Sequence, residues 1–311
     1  MIRKSTVETI LLRIANTILL NAGKVQTVGL LDVKMGIALF LYHYSQVTEN
    51  KIYSDFADEL FDEVLDWISG HRLSSNFACG MTGICWGIRY LTEKKVIDAD
   101  MDILKDMDTL LGKIAHSDTV SDIDNEPSFF SKGIYFTKKN DNEILVHLLN
   151  DLNHSLIQNV SVLPLSYLNS ILYVILQVNM EMEIFTDLLH IVYTGLLDSI
   201  KGKHYTFPDV LILTGIIEQL KQRKAPNLEY KKWESLVKML NIDNLNGIFN
   251  TGIYGLIYNK LKSDEPFILS KLETLDIEEQ INLMMKDVSR KINLYNGLAG
   301  VGLTLLNYFQ K

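Results

Sequence analysis

Hydrophobic and polar positions recur along the chain in blocks with helical spacing, and no segment alternates with period two over several residues, so the pattern predicts helices and needs no strands. The blocks are of two kinds. Thr6–Leu20 carries apolar residues at Ile10, Leu11, Ile14, Ile18 and Leu19, one face of a helix that Asn21-Ala22-Gly23 ends. Leu31–Gln46 is apolar almost without interruption through Met35, Ile37, Leu39, Phe40 and Leu41, as a helix buried on more than one side would be. From Ser54 an acidic amphipathic helix follows, with Asp58, Glu59, Asp62 and Glu63 outward, Phe56, Leu60, Phe61, Val64, Leu65 and Ile68 inward, and Gly70 as its stop.

This alternation of an outer and a more buried, inner helix continues to the last residues. Inner segments are expected from Gly83 to Leu91 and over Phe129–Phe136, Leu165–Val178, Asp209–Lys221, Gly247–Leu261 and Gly297–Phe309. Outer ones are expected over Ala99–Ile114, Glu143–Ile157, Ile184–Ile200, Tyr230–Leu240 and Phe267–Val288, with an acidic loop over Ser117–Pro127.

The inner segments share a motif. Gly300-Val301-Gly302-Leu303 matches Gly36-Ile37-Ala38-Leu39, Gly83-Ile84-Cys85-Trp86, Gly215-Ile216-Ile217-Glu218 and Gly252-Ile253-Tyr254-Gly255, with fainter copies at Gly133 and Ser170. Seven anchors spaced 37 to 50 residues apart are the signature of a repeat architecture. A glycine inside a helix costs about 1 kcal/mol relative to alanine, so a recurrent one implies close backbone approach between packed helices. Helical hairpins can stack as an open solenoid or close into a ring; the strongly apolar last copy, where an open array would need a polar cap, favours the ring.

Composition narrows the function. The 311 residues are 47% apolar and 22% charged, an ordinary globular balance that allows one large or two ordinary domains. The repeat runs the whole length, so a single domain over 1–311 is expected. A net charge of -8 with scattered basic residues argues against a nucleic-acid partner. Cys79 and Cys85, six apart and expected on one helix, are poorly placed to bridge each other, which suggests a reducing, cytoplasmic setting. Glu8 and Arg13 interrupt the apolar residues after Arg3 and Lys4, so no signal-peptide core is expected. The uncharged stretch Ser155–Met180 is long enough to raise a membrane span, but Pro164, Ser166, Asn169, Ser170 and Gln177 break it, and a buried inner helix is the expected reading.

The copies GLAGVGLTLL at Gly297–Leu306 and GMTGICWG at Gly80–Gly87, with their repeats, resemble the lanthionine synthetase C-like family, the cyclase components of lanthipeptide biosynthesis. The resemblance implies an all-α (α/α)7 toroid of seven inner and seven outer helices. It also implies zinc activation of a cysteine thiol for addition to a dehydrated Ser or Thr of a peptide, with three protein ligands and one open coordination position. The family's ligands come from a Trp-Cys-x-Gly motif in the fifth repeat and a Cys-His-Gly motif in the sixth. Here FPDVLILTG places Val210 and Leu211 at the first, and NGIFNTG places Gly247 and Ile248 at the second. Ser166 stands where the fourth repeat often carries a histidine. No soft donor remains at the matched positions, so no zinc or other cofactor is expected.

Other chemistry has less support. His147 and His154 lie one heptad apart on an outer helix, and His43, His190 and His204 are expected on the surface or in loops. Asp32 and Asp209 precede inner helices, where acidic residues commonly cap; as a glycosidase pair they would need a separation the sequence does not give. Phosphate-binding glycine loops are absent. Residues four before the anchors, Asp32, Cys79, Phe129, Ser166, Leu211, Ile248 and Asn296, are expected near the inner-helix N-termini, where unpaired N–H groups favour polar ligands. The expected site is therefore a peptide-binding cavity mouth of Asp32, Cys79, Ser166, Asp209, Leu211, Ile248 and Asn296, with no assigned catalytic residue. The expected role is a lanthionine cyclase-like protein of a ribosomal-peptide modification system that binds a substrate or precursor peptide, with a peptide-modifying partner enzyme as a further candidate. An active enzyme with a relocated site and a helical-ring carbohydrate enzyme are the alternatives.

Overall fold

The computed structural model describes residues 4–98, 101–115, 129–156, 163–178, 185–203, 205–222, 229–240, 245–258 and 265–309. Sixteen α-helices and no strands occur among them. In chain order they are α1 (Lys4–Asn21), α2 (Lys34–Thr48), α3 (Lys51–Gly70), α4 (Met81–Glu93), α5 (Met101–Ala115), α6 (Ser131–Lys139), α7 (Asn142–Leu156) and α8 (Leu165–Gln177). Then follow α9 (Thr186–Gly202), α10 (Phe207–Gln222), α11 (Tyr230–Met239), α12 (Thr251–Tyr258), α13 (Glu265–Glu273), α14 (Ile277–Met285), α15 (Val288–Lys291) and α16 (Leu298–Phe309). The protein is all-α. The expected acidic loop over 117–127 lies outside the described residues.

The chain divides into two compact units, residues 1–74, 79–100 and 247–311 in the first, 75–78 and 101–246 in the second. In the first unit α12 packs on α16, α16 on α2, and α2 on α4, while α1 covers α16 and α3 covers α2. The second unit places α8 between α6 and α10, with α7, α9 and α11 packed on the outside of that row. Every anchor falls on one of these central helices. α8 shows why: Leu165, Leu168, Ile171, Leu172, Val174 and Ile175 are wholly buried, so its apolar surface has neighbours nearly all round. Leu165–Gln177, within the uncharged stretch, is thus a core helix, and no described helix is long and apolar enough to cross a membrane.

Close packing explains two of the anchor glycines. A Cβ on Gly252 of α12 would stand 2.7 Å from the backbone nitrogen of Thr304 on α16, and one on Gly36 of α2 would stand 2.7 Å from Leu294 Cβ. Neither neighbour is the free end of a flexible chain. The α12–α16 contact is also bonded: Thr304 Oγ1 accepts from Gly252 N at 3.1 Å and donates to the Phe249 carbonyl at 2.6 Å. One hydroxyl thereby satisfies a donor and an acceptor at the start of the neighbouring helix.

The structure departs from the sequence reading in three places. The single outer helix expected over Phe267–Val288 is split into α13 and α14, with α15 starting only at Val288; Asp276 accepts a hydrogen bond from Glu279 N and caps the new start at Ile277. Cys79 and Cys85 do not share a helix: Cys79 lies in the turn before α4 and Cys85 within it. The repeat register also slips. The anchor is the third residue of α2, α4, α6 and α16, and the second of α12, whereas Ser170 is the sixth of α8 and Gly215 the ninth of α10. Tyr167 and Asp209 occupy the third positions there.

Candidate functional site

The loops entering the central helices of the first unit are tied to one another. The segment before α2 folds back so that Thr27 and Val28 carbonyls accept from Lys34 N and Met35 N at 3.2 and 3.3 Å. These bonds satisfy the first orphan donors of α2, whose N-cap Val33 offers no side-chain bond. Asp32 is therefore not a cap. Leu31, its neighbour, accepts from Tyr295 N at 3.1 Å, which joins the entry of α2 to that of α16.

The entry of α16 is joined in turn to that of α12. Asn250 is 1% exposed, and its Oδ1 accepts from Asn296 N at 3.0 Å while its Nδ2 donates to Asn296 Oδ1 at 2.9 Å. Asn296 is held at φ 58°, a left-handed conformation that asparagine tolerates better than most side chains. Both groups that Asn250 grips face inward, and Asn296 is exposed. Its own Nδ2 has no partner among the described residues. Ile248, half-buried in a short 3-10 turn over Ile248–Asn250, completes this continuous rim. Cys79, exposed and not in a disulfide, lies in the turn before α4 and belongs to the same unit.

The rim's charge is uneven. Asp32 is half-buried, and its carboxylate has neither hydrogen-bond nor ion-pair partner among the described residues. The nearest basic residue in sequence, Lys34, is committed to Glu63 of α3.

The remaining predicted residues lie in the second unit and serve its own architecture. Asp209, 3% exposed, is the third residue of α10, and its Oδ2 accepts from Thr206 N at 2.9 Å and Thr206 Oγ1 at 2.7 Å. That is the back-reaching half of a capping box, so the capping reading holds for Asp209 and fails for Asp32. Asn169 of α8 donates to the Asp209 carbonyl at 2.8 Å. Ser166 is the second residue of α8 and 7% exposed; Leu211 is the fifth of α10, equally covered. With the register corrected, Leu211 sits inside a helix rather than at its mouth. Phe129 is core, 5.4 Å from the Phe77 ring centroid.

The histidines were assigned from sequence with mixed success. His190 is exposed on α9, and His147 stands 3.4 Å from Asp151 on the surface of α7, the helix that also carries His154. His204 lies outside the described residues. His43 is half-buried and not in a loop: on α2, its Nε2 is 3.1 Å from Tyr90 Oη of α4. Burial, and secondarily the charge of Lys94, push its pKa from 6.5 down to about 4. Burial pushes the Tyr90 hydroxyl up to about 12. Both groups are neutral over the physiological range.

The positions matched to zinc ligands do not fit a zinc ion. Val210 and Leu211 are buried aliphatics in α10, 5% and 7% exposed. In the first unit Gly247 has no side chain and turns at φ 89°, and Ile248 is aliphatic. Among the described residues no three His, Cys, Asp or Glu side chains are grouped to hold a metal.

Outer helices alternating with central ones, five of which (α2, α4, α6, α12 and α16) carry a glycine anchor in the first turn, and polar groups at the central-helix entries define an all-α helical-hairpin repeat among the described residues. The family model described as lanthionine synthetase C-like protein matches residues 28–164, under half of the chain. That stretch holds the first glycine-anchored hairpins, α2 through α7. A search of curated proteins gave no match.

Proposed function

We propose that this lanthionine synthetase C-like protein binds a peptide at the central-helix entries of its first unit and does so without the family's zinc chemistry. The observation that carries this reading is the contrast between the two kinds of position in that unit. Where the family would place zinc ligands stand Gly247 and Ile248, with nothing to donate to a metal. Alongside them, Asp32 and Asn296 present an acceptor and a donor that are unengaged among the described residues, on a rim fixed by hydrogen bonds. A peptide supplies both a donor and an acceptor at every residue, and Ile248 offers an apolar contact between them.

In this reading the protein serves a ribosomal-peptide modification system as a binding or accessory component, within a single domain over 1–311. Two cysteines that form no disulfide suit a reducing, cytoplasmic setting. The test is binding of fluorescent peptide pools by anisotropy. Ile248→Asp places a charge on the apolar contact of the rim and is expected to weaken every pool; unchanged binding by this variant rules the rim out.

A further inference from the structure

We infer that the peptide received at this rim is cationic, with a Lys or Arg side chain taken by Asp32 and a neighbouring backbone carbonyl taken by the Asn296 amide. This deepens the peptide-binding reading and rests on it. Four observations converge. The Asp32 carboxylate is half-buried and has no partner among the described residues, which leaves it available to a cationic ligand. It does not cap α2, whose first N–H groups go to Thr27 and Val28 carbonyls, so local structure gives no reason for a carboxylate here. Lys34, two residues on, is turned away into its ion pair with Glu63. Asn296 is joined to the Asp32 segment through the Tyr295–Leu31 hydrogen bond, and Asn250 occupies its Oδ1 and leaves its Nδ2 donors outward.

The wider field points the same way. The chain carries a net charge of -8, and Asp55, Glu59, Asp62 and Asp66 form an exposed stripe on α3, the helix that packs on α2. Such a field raises the encounter rate of a positively charged peptide and repels an acidic one. A charge-assisted bond to a partly desolvated carboxylate then discriminates Lys or Arg from a neutral isostere by about tenfold in affinity. Asn250 is a positioning residue, acting through Asn296.

The probes are short peptide pools randomised at every position except a central one, fixed as Lys, Arg, norleucine or Glu, and titrated by anisotropy at low and high salt. Expected is binding in the order Arg and Lys above norleucine above Glu, with the spread shrinking as salt rises. Asp32→Asn is expected to bring the Lys and Arg pools within about twofold of norleucine while its melting temperature stays that of the parent, since Asp32 has no partner to lose among the described residues. Asn296→Gly keeps the left-handed backbone and removes the amide; it is expected to weaken all pools alike. Equal binding of the Lys and norleucine pools, or a Lys preference retained in Asp32→Asn, overturns the inference. If in that case Ile248→Asp still abolishes binding, peptide binding at the rim stands and only its charge preference falls. Failure of every pool to bind the parent overturns both.

Discussion

His43 gives the sharpest quantitative prediction about stability. In the folded protein its ring is desolvated between α2 and α4, faces the Tyr90 hydroxyl at 3.1 Å, and takes up a proton only near pH 4 instead of 6.5. The unfolded chain binds that proton first as the pH falls. Stability from the neutral ring is therefore fully present above pH 6.5 and is lost progressively down to about 4. At roughly 1.4 kcal/mol per pH unit, the whole loss is about 3 kcal/mol. Carboxylates titrate partly in the same window, so the assay is a difference. Urea unfolding of the parent and of His43→Phe is followed at pH 7.5, 6.5, 5.5 and 4.5. The parent should lose stability faster than the variant between 6.5 and 4.5, by up to about one proton's slope. Parallel pH profiles would refute the assignment of a neutral, desolvated ring.

Other predictions follow from particular contacts. Gly252→Ala drives a methyl into the Thr304 backbone and should cost about 1–3 kcal/mol, read as a lowered urea midpoint with unchanged helix content. Thr304→Val keeps the shape but leaves Gly252 N and the Phe249 carbonyl without their shared partner, a loss of about 1–3 kcal/mol by the same measurement. Asp209→Ala opens the capping box at α10 and should cost about 1 kcal/mol while leaving peptide binding at the first unit intact, measured by thermal unfolding and anisotropy together. Because no ligand set is present at the matched positions, the purified protein should hold no stoichiometric zinc by elemental analysis, and a chelator should leave its melting temperature unchanged.

Much of the helical plan was legible because hydrophobic periodicity reports burial directly. The all-round apolar face of Leu165–Leu176 and the one-sided face of Thr6–Leu20 correspond to a core helix and a covering helix in the structure. Caps were harder to read. Asp276 interrupts an outer helix without interrupting its apolar spacing, since a cap acts through one backbone N–H and leaves the face pattern intact. The register of α8 and α10 was misread for a related reason: neither has glycine in its first turn, so the match slid along the helix to Ser170 and Gly215. That slip put Leu211 at a rim where it does not belong. Asn250 was missed altogether. Its only sequence signal is that it lies two residues before an anchor, and its role depends on Asn296, 46 positions away. Asp32 and Asp209 looked alike in sequence, and only the hydrogen bonds separate a capping carboxylate from one unengaged among the described residues.

The central claim is zinc-independent peptide binding at the first unit's rim, and the measurement that addresses it most directly is an anisotropy titration of the peptide pools into protein dialysed against chelator, repeated after adding zinc. The account predicts saturable binding before zinc is added, with the same affinity afterwards and a large loss in Ile248→Asp. Binding that appears only once zinc is restored would contradict it.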